Sequence, residues 1–160
     1  EANADDGAIS YRLRWTGVPG LELAATALYQ DNIVQRSGTS ANPTPALLLE
    51  THVSYQAGPF GARALYAEWD LDSDAARTAG KDKQYGWYVE PSFKVTPKLG
   101  VFARYAEWDV GGTAASTKQD QTNVGLNFWP VEEVVFKVDV QQQGENGAAD
   151  GFNLGVGYMF

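Results

Sequence analysis

Apolar and polar residues alternate with a period of two along most of this chain, the spacing at which successive side chains of a β-strand point to opposite faces. In 8–17, Ile9, Tyr11, Leu13 and Trp15 alternate with Ser10, Arg12, Arg14 and Thr16. In 84–95, Tyr85, Trp87, Val89 and Phe93 oppose Gly86, Tyr88, Glu90, Ser92 and Lys94. In 134–141, Val134, Phe136, Val138 and Val140 oppose Lys137, Asp139 and Gln141. Similar runs occupy 21–30, 46–56, 61–71, 99–109, 119–129 and 151–160, so the pattern predicts nine strands. No segment carries a convincing helical period. The sequence predicts an all-β chain.

Alternation alone does not separate a half-buried sandwich strand from a membrane-barrel strand. The connections decide better. They fall at 18–20, 31–45, 57–60, 72–83, 96–98, 110–118, 130–133 and 142–150, short and long by turns. In an up-and-down meander this puts every tight turn on one rim and every long loop on the other. Outer-membrane barrels have that asymmetry, with short periplasmic turns and longer extracellular loops, and Greek-key sandwiches have no need of it. Aromatics on the apolar parity fall near both strand ends. Trp15, Tyr55, Phe93, Phe128, Tyr158 and Phe160 lie toward the turns, Trp87 and Tyr105 toward the loops, with Leu13, Val89, Leu126 and Val156 between. Two aromatic girdles around an aliphatic belt are what the two membrane–water interfaces select. About ten residues at ~3.3 Å rise and a tilt of roughly 40° cover about 25 Å of bilayer normal.

Composition removes other classes. No run approaches the ~18 apolar residues of a spanning helix. Five Trp, eight Tyr and seven Phe are too many for a solvated disordered chain. With no cysteine there is neither disulfide framework nor thiolate metal site. A net charge of -8 argues against nucleic acid as a partner. The start of the chain has no basic and apolar leader pattern, so any signal peptide is expected to be already removed.

Some features strain the scheme. Pro91 falls on the apolar parity of a strand paired on both sides, where a bulge would accommodate its missing N–H. Glu68 and Glu107 share that parity but lie beyond Tyr66 and Tyr105, toward the loops, within a Tyr-Ala-Glu-Trp-Asp core that occurs twice. Nine is odd, whereas single-chain bacterial barrels have an even number of strands. Either a strand is miscounted or the chain is the C-terminal part of a larger barrel, and we favour the second. The whole of 1–160 then belongs to the barrel, with 1–7 a remnant of an extracellular loop.

Several stretches resemble the phosphate-selective porin (porin O/P) family: Gly-Trp-Tyr-Val-Glu-Pro-Ser-Phe at 86–93, Thr-Pro-Lys-Leu-Gly-Val-Phe-Ala-Arg-Tyr at 96–105, 123–130 with 134–139, and the ending 151–160. The final strand closing on Phe160 is similar to the C-terminal signal of outer-membrane barrels. The likeness covers roughly the last 110 residues well. It implies a porin of about sixteen strands, trimeric, in the outer membrane of a Gram-negative bacterium. The family's anion site has no matching motif here, so no site residue is carried over.

By parity the interior wall holds Arg12, Arg14, Arg63, Lys94, Arg104 and Lys137 against Glu22, Glu50, Glu90 and Asp139, a small basic excess. The pore-lining candidates are Arg12, Arg14, Arg63, Glu90, Lys94, Arg104, Lys137 and Asp139, with Arg12 and Arg14 the best start of an arginine ladder. Wall charge sets selectivity in such channels; equally, these residues could only pair across strands. Other motifs fade. Asp70-x-Asp72-x-Asp74 lacks the glycine and terminal glutamate of a calcium loop. His52 beside Ser54 reads as interior polarity rather than a hydrolase pair, and Gly155-x-Gly157 has no following helix. The expected function is passive diffusion of small hydrophilic or anionic solutes through a water-filled channel, without catalysis, metal or cofactor. Its expected partners are outer-membrane lipid, lipopolysaccharide and two further copies of itself. Two alternatives stay open: a small closed barrel acting as scaffold or adhesin, and a soluble carbohydrate-binding β-sandwich.

Overall fold

The computed structural model describes residues 7–33, 44–114, 117–144 and 150–159. Nine strands, β1 (Ala8–Val18), β2 (Leu21–Gln30), β3 (Ala46–Ala57), β4 (Phe60–Leu71), β5 (Lys83–Thr96), β6 (Leu99–Asp109), β7 (Lys118–Val131), β8 (Val134–Gln143) and β9 (Gly151–Tyr158), pair in sequence order. They form one antiparallel up-and-down sheet in which β1 and β9 are the edges and do not pair with each other. A two-sheet sandwich is not the architecture. The expected loop remnant 1–6 and the girdle residue Phe160 lie outside the described residues, while Gly7 sits at the loop rim, its N–H donating to Asp31 Oδ2 at 3.1 Å.

Short and long connections alternate as the pattern predicted. Two-residue turns at Pro19 and Gly20, Gly58 and Pro59, Pro97 and Lys98, and Glu132 and Glu133 occupy one rim. Gly20 takes φ 81, and a Cβ there would run into the Gln56 carbonyl oxygen of the next hairpin, so only glycine fits. The strand register shifts by one residue between Trp15 and Val18, between Lys94 and Thr96, and between Phe128 and Val131, each time beside such a turn. The bulge expected at Pro91 is therefore displaced. Val89 pairs with Tyr105 and Ser92 with Phe102 in one unbroken register, and Pro91 still faces Ala62 on β4. The proline omits its bond to β6 without adding a residue, and the extra residue is taken up where the chain already turns.

One short helix departs from the all-β reading. α1 (Asp74–Thr78) lies in the connection between β4 and β5. The Ser73 hydroxyl caps it by accepting from the Ala76 N–H at 3.0 Å, and Asp74 in its first turn pairs with Arg77 in its last at 3.2 Å. Five residues cannot display a 3.6-residue period, which is why alternation was blind to it.

The sheet has two unlike faces. Along β1, Leu13 is 77% exposed, and along β9 Val156 is 71% exposed. Val89 and Leu126 on the central strands point the same way, since the register carries one parity unbroken from β1 to β9. Among the described residues no large side chain is fully buried, and the buried apolar set is Ala24, Ala46 and Phe102. Among the described residues, no protein layer covers this aliphatic face. Aromatic pairs gather toward the ends of that face: Phe60 with Phe93 at 4.9 Å near the turns, and Trp87 with Tyr105 at 5.5 Å toward the loops.

Candidate functional site: the polar wall

Every charged side chain in the middle of the strands lies on the other face. Arg12 and Arg14 of β1, Glu22 of β2, Glu50 of β3, Arg63 of β4, Glu90 and Lys94 of β5, Arg104 of β6, and Lys137 and Asp139 of β8 share one parity. The acids and cations on the apolar parity, Glu68, Asp70, Lys83, Glu107, Asp109, Lys118 and Asp120, are confined to the loop end.

Lateral pairing brings three of the predicted residues together. Glu90 stands directly opposite Arg63 in the β4–β5 ladder, and Arg104 faces it from β6. The Glu90 carboxylate is 3% exposed because both neighbours fold over it: Arg63 donates to Oε1 from Nε at 3.0 Å and also from its terminal nitrogen, and Arg104 donates to Oε2 at 2.8 Å. Two guanidinium groups around one carboxylate leave a net positive charge, and burial of this acid is sustained only by that double pairing. Arg104 also lies 4.6 Å from the Tyr88 ring centroid.

The other candidates separate. Lys137 approaches Asp139 at 3.6 Å and sits 4.3 Å over Phe102. Lys94 joins no carboxylate cluster and rests 5.0 Å over Trp129. Arg12 and Arg14 do not begin a ladder that continues across the sheet. Arg12 reaches His52 Nε2 at 3.5 Å, and Arg14, on the edge strand, reaches Glu22 at 3.5 Å. His52 turns its Nδ1 to Glu50 Oε1 at 2.6 Å and makes no hydrogen bond to Ser54. Asp72 and Asp74, the calcium-like acids, both hold Arg77, at 2.5 and 3.2 Å. The Asp72 hydrogen bond pushes the Arg77 guanidinium further above its already high pKa.

Sequence reasoning overlooked the uncharged half of this wall. Gln121 donates to Asn123 at 2.7 Å, Asn123 to Asp139 at 2.9 Å, and Asn153 to both Asp139 and Gln141 at 3.0 Å. Gln143 completes the row by donating to Gln121 at 3.2 Å. Their signal was present as carboxamides at alternate positions 119, 121 and 123 and again at 141, 143 and 153, but only the register shows that these runs are neighbours. With Tyr88, Phe102, Arg104 and Trp108, all of these except Gln143 surround a hollow of about 380 Å³. Nearer the turns, Ser54, Arg63, Ser92 and Lys94 line a second hollow of about 270 Å³.

No family model matches this sequence, and no curated protein matches it. Among solved structures, the sheet superposes on the outer membrane channel DcaP of Acinetobacter baumannii with TM-score 0.50 and 14% identity, covering 86% of this chain and 44% of that one. The chain shares the antiparallel β-barrel fold of that protein, of which its nine-stranded sheet forms a part. At this identity the likeness extends to fold alone, and the chain spans less than half of that channel's length. The KdgM porin aligns over 97% of this chain and 92% of its own at 13% identity with TM-score 0.34. The porin O/P resemblance is thus supported as a barrel fold and not at the level of that family.

Proposed function

We propose that the protein is a porin-type channel of the outer membrane, passing small hydrophilic solutes by diffusion through a water-filled lumen lined by the polar wall. The observation that carries this reading is the division of the sheet, with exposed aliphatic side chains on one face and the ten charged residues of the strand middles on the other. A lipid-facing surface tolerates no such charges, and a wet lumen tolerates no continuous aliphatic belt. Further strands beside β1 and β9 would complete the barrel, because nine strands closing on themselves would set those two edges parallel in an otherwise antiparallel sheet.

The finer features belong to the same proposal. Six cations against four acids on the wall favour anions weakly, with the cluster of Arg63 and Arg104 around Glu90 the main contributor. The apolar face meets lipid and lipopolysaccharide in a Gram-negative outer membrane, and assembly as a homotrimer follows the family resemblance. Chemistry is confined to permeation, without catalysis or cofactor. Reconstitution of the full-length protein in planar bilayers tests the core of this reading: stepwise conductance with a reversal potential on the anion side is expected. A correctly folded barrel without conductance would remove it in favour of the scaffold reading. Cross-linking or native mass measurement in detergent checks the trimer.

A further inference from the structure

The hollow framed by β5 to β9 differs chemically from the rest of the wall. Its charges are already committed. Asp139, 5% exposed, accepts from Asn123 and Asn153 and approaches Lys137, and Lys137 is seated on Phe102 while Arg104 is bound to Glu90. Arg104 and Lys137 still reach the hollow, 33% and 40% exposed, but each is already paired with a carboxylate, and the unspent hydrogen-bonding capacity beside them belongs to neutral groups. A carboxamide offers two N–H donors and an oxygen with two lone pairs. Gln121 spends one donor on Asn123 and one acceptor site on Gln143, which leaves one of each. Asn153 spends both N–H groups on Asp139 and Gln141, and its oxygen keeps acceptor capacity. Beside them lies the indole of Trp108, whereas the rings of Tyr88 and Phe102 are covered by cations.

We propose that this hollow is a subsite for polyhydroxylated, saccharide-like solutes, a specialisation that rests on the channel reading. Each hydroxyl of such a solute is both donor and acceptor, so a wall of cations alone or of carboxylates alone leaves half of its hydrogen bonds unmade. A carboxamide row replaces both kinds of bond with water without the desolvation cost of an ion. The Trp108 ring supplies the flat apolar surface that the C–H face of a sugar ring requires. A volume of about 380 Å³ is at the small end of the range for ligand sites, roughly 300–1,000 Å³, and suits one or two sugar rings in passage. An anion is the weaker match here, because Asp139 stands in the floor and Arg104 and Lys137 are already paired with carboxylates.

The test uses the full-length protein in planar bilayers with glucose and maltose as probes. Maltose is expected to interrupt the current in a concentration-dependent way, and Trp108→Ala to raise the half-blocking concentration about fivefold, with Trp108→Phe restoring most of it. Should Trp108→Ala fail to fold, Gln121→Leu, which keeps the shape and removes the open donor and acceptor, is expected to weaken the block similarly. An open channel that maltose leaves unchanged overturns the subsite while the channel reading survives, and so does a block that neither variant alters or one in which succinate or phosphate is stronger than maltose. A folded protein with no conductance overturns both.

Discussion

The two halves of the polar wall hold themselves together by different means. From β1 to β6 the contacts run mostly between charged groups, Arg14 with Glu22 and Arg63 and Arg104 with Glu90, while Glu50 holds the His52 ring and Lys94 rests on Trp129. From β7 to β9 the connecting groups are neutral carboxamides gathered around one acid, Asp139. A charged wall acts at a distance and is weakened by salt; an amide wall acts only in contact and is indifferent to salt. On the proposed channel reading, one barrel segment would carry a long-range and a short-range filter side by side.

The comparison breaks most sharply at Glu90. Glu90→Ala leaves Arg63 and Arg104 adjacent and unpaired. It should cost on the order of 2 kcal/mol, less than a fully buried pair because Arg63 is half exposed, and should move the reversal potential further toward anions. Heat-modifiability on gels and bilayer recording measure the two effects, and an unchanged reversal potential would mean that this cluster does not face the lumen.

Gly125 is the corresponding weak point of the amide half. A Cβ there would lie 2.6 Å from the Phe102 ring and 2.6 Å from Asp139 Cβ. Gly125→Val is expected to cost about 1–3 kcal/mol by overpacking, and to unseat Lys137. Thermal melting in detergent reads the first. If anion selectivity also changes greatly, Lys137 was not neutralised as its contacts imply.

Salt sharpens the contrast with no mutation at all. Raising salt from 0.1 M to 1 M shortens the screening length from about 10 Å to about 3 Å, so anion preference should fall toward zero while maltose block keeps its half-blocking concentration. Parallel loss of both would show that one electrostatic mechanism governs the whole wall. The smallest expected effect is at Lys94. Lys94→Gln removes one lumen charge and a contact with Trp129 worth about 0.5–1 kcal/mol at most, so selectivity should decline slightly with little change in melting temperature.

The facing of each strand could be read from the sequence because it is a local property. A period of two assigns Leu13 and Arg12 to opposite sides wherever their strand sits, and the alternation of tight turns with long loops dictates the meander. These were enough for the strand count, the two faces and the placing of Arg63, Glu90 and Arg104 on one face. What they meet was decided only by register. Arg63 and Glu90 are 27 residues apart and Glu90 and Arg104 are 14 apart, and a one-residue slip of either ladder would have turned one partner to the apolar face. The same holds for the carboxamides of β7, β8 and β9, unremarkable as separate runs and a continuous row once paired. Sequence thus determined which side chains face together, since that follows from backbone geometry; the tertiary structure alone decided which of them touch, since that depends on how strands with long connections align.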